Sequence, residues 1–315
     1  MNEDTSIFEL VVLSGKGGTG KTSVTASLAA LAEKAALADC DVDASNLPLV
    51  LDPRLRRRER FIGGLCADIK PSLCTACGKC EKLCRFDAIL FDGPGNDRVP
   101  RTFRVDPSAC EGCGVCAHFC VEKAIEMAPT DGGEWFVSDT RFGPLVHARL
   151  RPGQGNSGKL ATLVREQARE AARQAERRLI LIDGPPGVGC PVMASLTGAS
   201  LLLAVTEPTP SGEHDLERVL ALARHFKIPA WVCVNKHDLN PAMTARIERR
   251  AAELGATVAG QIPYDPAVTA AQRQGRPVVE HDRGPAAQAM IQLWKNLSAN
   301  FLNPVLDHSQ PVSAR

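Results

Sequence analysis

Eight of the twelve cysteines fall between Cys74 and Cys120, in two evenly built runs. They are Cys74, Cys77, Cys80 and Cys84, then Cys110, Cys113, Cys116 and Cys120, the second run repeating the first 36 residues on. In a reducing compartment such thiols favour metal ligation over disulfides. The x2 spacings alone also suit zinc, whereas two complete C-x2-C-x2-C-x3-C runs favour iron–sulfur chemistry. A different chemistry is written near the start of the chain. Gly15-Lys16-Gly17-Gly18-Thr19-Gly20-Lys21-Thr22 fits G-x-x-x-x-G-K-S/T between an apolar run and a helical one. Its glycines let successive backbone N–H groups turn inward around phosphate oxygens. Lys21 then supplies a point charge to the terminal phosphates, and the Thr22 hydroxyl suits Mg²⁺.

Other features carry less. Gly153 to Lys159 (GQGNSGK) also satisfies G-x-x-x-x-G-K, but Ala148–Pro152 before it is no apolar strand and Leu160 replaces the hydroxyl. It is rejected as a nucleotide site and reads as a loop at a helix N-terminus. Cys40, Cys66, Cys190 and Cys233 are scattered. Cys190 reads as a small buried packing residue, with a metal or redox thiol as the alternative. The seven histidines show no ligand-like spacing.

These residues need elements to position them. Phe8–Leu13 is an apolar run of the kind that forms a buried parallel strand, and Lys21–Ala36 has helical spacing. Ala36–Ala38 leads into the acidic segment Asp39-Cys40-Asp41-Val42-Asp43. The pattern breaks at Pro53–Arg60, turns to cysteines, glycines and short strand-like pieces from about Phe61 to Ala128, and resumes after Gly132-Gly133. A helical stretch at Lys159–Arg178 then meets the strand Leu179–Ile182, which ends on Asp183. Leu201–Val205, Trp231–Asn235 and Thr257–Ile262 are further strand candidates. Alternation on both sides of a foreign segment predicts an α/β fold with a mostly parallel, doubly wound sheet, interrupted by a small α+β module. The expected domains are 1–60 plus 130–315, and an insert at 61–129.

Lys+Arg number 37 against 36 Asp+Glu, a net charge of +1 that points to neither a nucleic-acid nor a membrane surface. The first residues lack the basic start and apolar core of a signal peptide, and no apolar run reaches bilayer-spanning length. The expectation is a cytoplasmic protein. Ala286–Phe301 carries Met290, Ile291, Leu293, Trp294, Leu297 and Phe301 but only Lys295 as a base, which favours core packing over membrane binding.

The segment Lys16–Thr22 (KGGTGKT) resembles the deviant phosphate-binding loop of the MinD/ParA ATPases and the nitrogenase iron protein. That resemblance gives Lys16 a role across a dimer interface, on the partner's nucleotide. Asp39–Leu47 resembles the family's switch I, with Asp41 orienting the attacking water. Asp183–Gly187 resembles its Walker B and switch II, with Asp183 holding Mg²⁺ through water. Val234-Asn235-Lys236 resembles the segment whose asparagine reads adenine, and Ile262–Asp265, with Pro263 at the nucleotide, resembles a C-terminal motif, as does Gly275–Val279. Each cysteine run is similar to that of bacterial ferredoxins, in which the fourth thiolate crosses to the other cluster. The implied ligand sets are Cys74, Cys77, Cys80 and Cys120, against Cys110, Cys113, Cys116 and Cys84. Arg85 and Val121 stand where such runs usually place proline.

The chain as a whole resembles MinD-superfamily ATPases with an inserted ferredoxin domain. The resemblance implies ATP or ADP, Mg²⁺ and two 4Fe–4S clusters as cofactors, and a homodimer or a heterodimer with a related ATPase. The expected function is an ATP-driven switch coupled to electron transfer toward a redox partner that the residues do not name. A carrier for cluster or metal-cofactor assembly is the alternative, and a MinD-like positioning switch a third reading. A purely structural role for the clusters, stapling a module poor in large apolar residues, is the bland version.

Overall fold

A computed structural model describes residues 7–151 and 155–302. The chain divides into a larger unit, Met1–Glu59, Trp135–Arg149 and Ser157–Arg315, and a smaller one, Arg60–Glu134 and Leu150–Asn156.

The larger unit opens with β1 (Phe8–Ser14), α1 (Lys21–Ala32), β2 (Ala36–Asp39) and α2 (Leu47–Leu51). The chain then enters β3 (Arg54–Ile69), which crosses into the smaller unit. There follow α3 (Lys79–Leu83), β4 (Ile89–Gly93), β5 (Thr102–Val105) and α4 (Val115–His118). The chain returns along β6 (Ile125–Thr140), then β7 (Gly143–Leu150) and α5 (Ser157–Gln174). After these come β8 (Leu179–Pro186), α6 (Cys190–Leu196), β9 (Leu201–Thr206), α7 (Pro210–His225), β10 (Ala230–Asn235) and α8 (Pro241–Glu253). The chain closes with β11 (Thr257–Ile262), α9 (Pro266–Arg273), α10 (Val278–His281) and α11 (Pro285–Leu297).

The large sheet has the order β11-β10-β9-β1-β8-β2-β7-β6-β3. Pairings from β11 through β7 are parallel, so this is the α/β P-loop fold that the alternation predicts. β1, β8 and β9 are apolar almost throughout because helices cover both of their faces. On one side, Leu10, Val12, Leu37, Leu181 and Leu203 share a core with Leu28 of α1 and with Met290, Leu293 and Leu297 of α11. α11 is thus a core helix.

A buried ion pair links β1 to α5, the helix that precedes β8. Glu9 and Arg165 are each 4% exposed, and Arg169 also meets Glu9. Arg165 Nη1 donates to Ala194 O and Thr197 O, both at 2.7 Å, at the C-terminal end of α6.

The smaller unit has its own core, with Ile69, Ile89, Phe103 and Ile125 packed among cysteines. Its two halves repeat. Lys70 N donates to Ala124 O at 2.8 Å, and 36 residues on Asp106 N donates to Ala88 O at 2.7 Å. β4 and β5 pair antiparallel.

Two elements differ from the sequence reading. α1 stops at Ala32, with Glu33 at φ 56°, instead of reaching Ala36. Ala36–Asp39 are fully buried in the sheet, so the chain must turn first. The charged stretch after Pro53 is the beginning of a sixteen-residue strand, not a break.

Candidate functional site

The loop after β1 and the N-terminus of α1 line a cleft of ≈ 720 Å³ with Asp41, Asp43, Asn46, Pro185, Pro186 and Gln272. The cleft lies at the C-terminal ends of parallel strands, where open α/β sheets place ligands. Gly20 is at φ +88°, and a Cβ there would sit 2.3 Å from Asn235 Nδ2, so both conformation and contact require glycine.

Asp183 organises the site. Fully buried on β8, it accepts from Lys21 Nζ at 2.8 Å, Thr22 Oγ1 at 2.7 Å and Thr25 Oγ1 at 3.1 Å. Burial pulls the Lys21 ammonium down, but the Asp183 carboxylate, its hydrogen bond, Asp39 and Asp41 together leave Lys21 raised. Thr22 and Asp183 face each other as two oxygen donors fit for Mg²⁺. Thr19 Oγ1 is buried in the same loop with no hydrogen-bond partner, a polar atom that a phosphate oxygen would satisfy.

Asp41 lines the cleft with Oδ2 4.0 Å from Lys21 Nζ. Burial raises its carboxyl to about 6, with Lys21 opposing and Asp183 and Asp43 adding. Asp39 is a different kind of residue. Fully buried, it accepts from Ser45 Oγ at 2.8 Å, Leu47 N at 3.0 Å and Asp41 N at 3.1 Å, which fixes the loop that carries Asp41. Burial and the neighbouring Asp183 push Asp39 up to about 7, against the pull of Lys21 and the Ser45 and Leu47 hydrogen bonds.

The remaining expected residues are more dispersed. Gly17–Thr22 line the cleft; Gly15, Lys16, Asn235 and Pro263 do not. Lys16 Nζ lies 2.8 Å from Glu207 Oε1 and 3.1 Å from Ser211 Oγ. Asn235, at the end of β10, donates to Thr19 O at 2.7 Å and so braces the loop from behind. Pro263 follows β11 in the turn where Tyr264 N donates to Asp238 Oδ1 at 2.6 Å.

Sequence reasoning missed Glu207, which also pairs with Lys236 Nζ at 3.1 Å, and Gln272, whose Nε2 donates to Ser23 Oγ at 2.6 Å. Glu207 directly follows β9 on the same sheet edge as Asp183, and that position was the available signal. Nothing comparable marks Gln272. Gly153 lies outside the described residues, while Lys159 falls in the first turn of α5.

In the smaller unit the cysteines gather around two cavities. One, of ≈ 320 Å³, is lined by Cys74, Cys77, Cys80 and Cys120, with Phe103 and Ile125. The other, of ≈ 20 Å³, is lined by Cys84, Cys110, Cys113 and Cys116, with Ala67 and Ile89. Each set thus combines three members of one run with the last member of the other. Ala124 N donates to Cys120 Sγ at 3.3 Å. All these thiols are free, and Cys77 and Cys113 are exposed. Among the described residues, no three His, Cys, Asp or Glu side chains converge as ligands of a single metal ion.

One lone cysteine departs from expectation. Cys190 is exposed at the start of α6, off the face that buries Val192, Ser195 and Leu196, so it is not a packing residue. Cys66, on β3, is half-buried, and its thiol donates to Ala67 O at 3.5 Å.

The family pattern of the CobQ/CobB/MinD/ParA nucleotide binding domain matches residues 10–278. An uncharacterized protein of Methanocaldococcus jannaschii is 34% identical over 237 residues, 74% of this chain and 80% of the relative. An uncharacterized ATP-binding protein of the same organism is 25% identical over 306 residues, 91% of this chain and 86% of the relative. Among solved structures, the septum site-determining protein MinD of Pyrococcus horikoshii in complex with Mg-ADP superposes with a TM-score of 0.59. It is 18% identical, with 95% of this chain and 98% of the other covered.

Proposed function

Because the chain belongs to the CobQ/CobB/MinD/ParA nucleotide-binding family, and is thereby a P-loop ATPase, we propose that its ATP cycle gates electron transfer through two 4Fe–4S clusters held by the smaller unit. The observation that carries the second half is the pair of cavities, each lined by four cysteines in crossed sets. The donor chemistry fits. A cubane takes one thiolate at each of four iron corners, so its ligands surround a volume and need not converge on one ion. When bound, such clusters would carry single electrons.

The protein's own residues supply the nucleotide chemistry. Backbone N–H groups of Gly17–Gly20 and the Lys21 ammonium bind the phosphates, and Thr22 with Asp183 holds Mg²⁺. Asp41, held by the Asp39-anchored loop, orients the attacking water in its ionised form. Lys16 and its Glu207 contact lie at the edge of this site, and a dimer sandwiching ATP would use Lys16 from the partner. Turnover is expected to be slow and stimulated by the redox partner. ATP can bias such a switch only by binding its two states with different affinity.

Anaerobic preparations should contain about eight irons and about eight sulfides per chain and retain Mg-ATP. Potentiometric titration with and without Mg-ATP should give different cluster potentials, and the ATPase rate should depend on cluster oxidation state. Identical potentials, together with a rate blind to oxidation state, would remove the coupling. Nucleotide-dependent movement of iron to an apo-protein would favour the carrier reading instead.

A further inference from the structure

Helix α1 carries four hydroxyl side chains, and one of them has no acceptor for its proton. Thr22 Oγ1 donates to Asp183 Oδ2 at 2.7 Å. Thr25 Oγ1 and Ser27 Oγ each bond back to the carbonyl four residues before, at Lys21 O (3.0 Å) and Ser23 O (2.8 Å). The equivalent carbonyl for Ser23 is Thr19 O, which already receives Asn235 Nδ2 at 2.7 Å. Among the described residues Ser23 Oγ donates to none. It accepts instead, from Gln272 Nε2 at 2.6 Å.

Ser23 is 6% exposed, and both it and Gln272 line the nucleotide cleft. A hydroxyl has one donor and two acceptor directions. With the Gln272 amide filling an acceptor direction, the Ser23 O–H is turned away from Gln272, in the first turn of the helix whose N-terminus cradles phosphate. A buried donor without an acceptor is costly, and a phosphate oxygen in the cleft would satisfy it.

Gln272 is also held where this contact needs it. Its helix, α9, is capped at the start by Asp265, which accepts from Ala267 N at 2.9 Å and from Ala286 N of α11 at 3.3 Å. Just past its other end, Gly275 lies at φ +64° and so close to α2 that a Cβ would stand 3.3 Å from Leu49 O. A helix fixed at both ends thus presents one amide to α1, from far outside the phosphate-binding motif.

We propose that Gln272 is a positioning residue for the nucleotide: by donating to Ser23 Oγ, it orients that hydroxyl to donate to a phosphate oxygen that ATP and ADP share. Lys21 and Thr22 already serve the terminal phosphate and Mg²⁺, which leaves the shared phosphates to Ser23. The inference rests on the nucleotide site and not on the clusters. A contact made equally before and during hydrolysis strengthens binding without speeding the chemical step.

The test uses the full-length protein, with Mg-ATP and Mg-ADP affinities from calorimetry and steady-state ATPase rates. Gln272→Ala should weaken both nucleotides by about 3- to 10-fold, the value of one hydrogen bond, and raise KM likewise with kcat near wild type. Ser23→Ala should do the same. The double variant should bind no more weakly than Ser23→Ala alone, since the glutamine acts only through the hydroxyl. Gln272→Glu keeps the reach but takes the Ser23 proton for itself, and should bind more weakly than Gln272→Ala. Wild-type affinity in Gln272→Ala would overturn the proposal, and so would additive losses in the double variant. A changed preference between ATP and GTP would overturn it too, by showing that Gln272 reads the base directly. Lost affinity together with a lower kcat and a lower denaturant midpoint would also overturn it, by reducing the contact to a structural one. A wild-type chain that binds neither nucleotide would remove this inference together with the nucleotide site itself.

Discussion

At the scale of single residues, Asp183 and Lys21 share one buried ion pair, and two substitutions separate binding from chemistry. Lys21→Ala should weaken ATP binding by about 10- to 100-fold, the value of lost charge-assisted hydrogen bonds, as measured by calorimetry. Asp41→Ala should bind ATP nearly normally and hydrolyse it about 100-fold more slowly in a single-turnover assay. An Asp41→Ala protein with wild-type turnover would show that another residue orients the water. Asp39 makes a pH-dependent contribution with a definite sign. Its folded-state carboxyl is raised from 3.8 to about 7, so between these values the folded protein keeps a proton that the unfolded chain has released. Its contribution to stability is full below about pH 4 and is lost as the pH rises toward 7. Denaturant melts of the nucleotide-free protein should show this slope flattened in Asp39→Asn. Phosphate-loop and cysteine positions were legible because their chemistry dictates short-range spacing. Glu207 was not, because it comes to Lys16 only through the pairing of β1 with β9 across a long stretch of chain.

At the scale of elements, apolar runs marked β1, β8, β9 and β10, whose burial leaves few polar positions, and β11, which buries only Ala259 and Ile262. Sequence pattern failed for the first part of β3, where Arg54, Leu55, Arg56, Arg57 and Arg58 are all exposed and alternation begins only at Phe61. An edge strand presents such charges to solvent and gains protection from unwanted pairing by doing so. It failed also at the end of α1, since the alanines of Ala35-Ala36 and Ala38 are strong helix formers and carry the helical pattern into the buried strand. α11 gives the clearest energetic expectation. Leu293 is 1% exposed between α11 and the sheet core, so Leu293→Ala should cost about 2–5 kcal/mol in denaturant unfolding without altering ATP affinity in the folded protein.

At the scale of the whole molecule, the units own separate cores, one of aliphatic side chains under a parallel sheet and one interleaved with cysteines. Nucleotide affinity should therefore survive damage to the smaller unit. Replacing Cys77 and Cys113 by alanine should lower the iron content while changing the ATP dissociation constant by no more than about threefold, within ~0.7 kcal/mol. A larger loss would mean that the smaller unit helps to fold the larger. The units divide inside β3 and β6 and not in linkers, so a change in texture marks the place in the sequence while linker signals do not.

The buried Arg165 has a mechanical consequence. By taking the last carbonyls of α6 and the Glu9 carboxylate together, it anchors the far end of that helix to the innermost strands. Any displacement that starts at Asp183 would then fall on the three residues from Gly187 to Gly189 that join β8 to α6, where Gly187 already sits at φ +91°. The recoil of phosphate release would be felt as a local swivel on a fixed pivot, with α6 itself standing still.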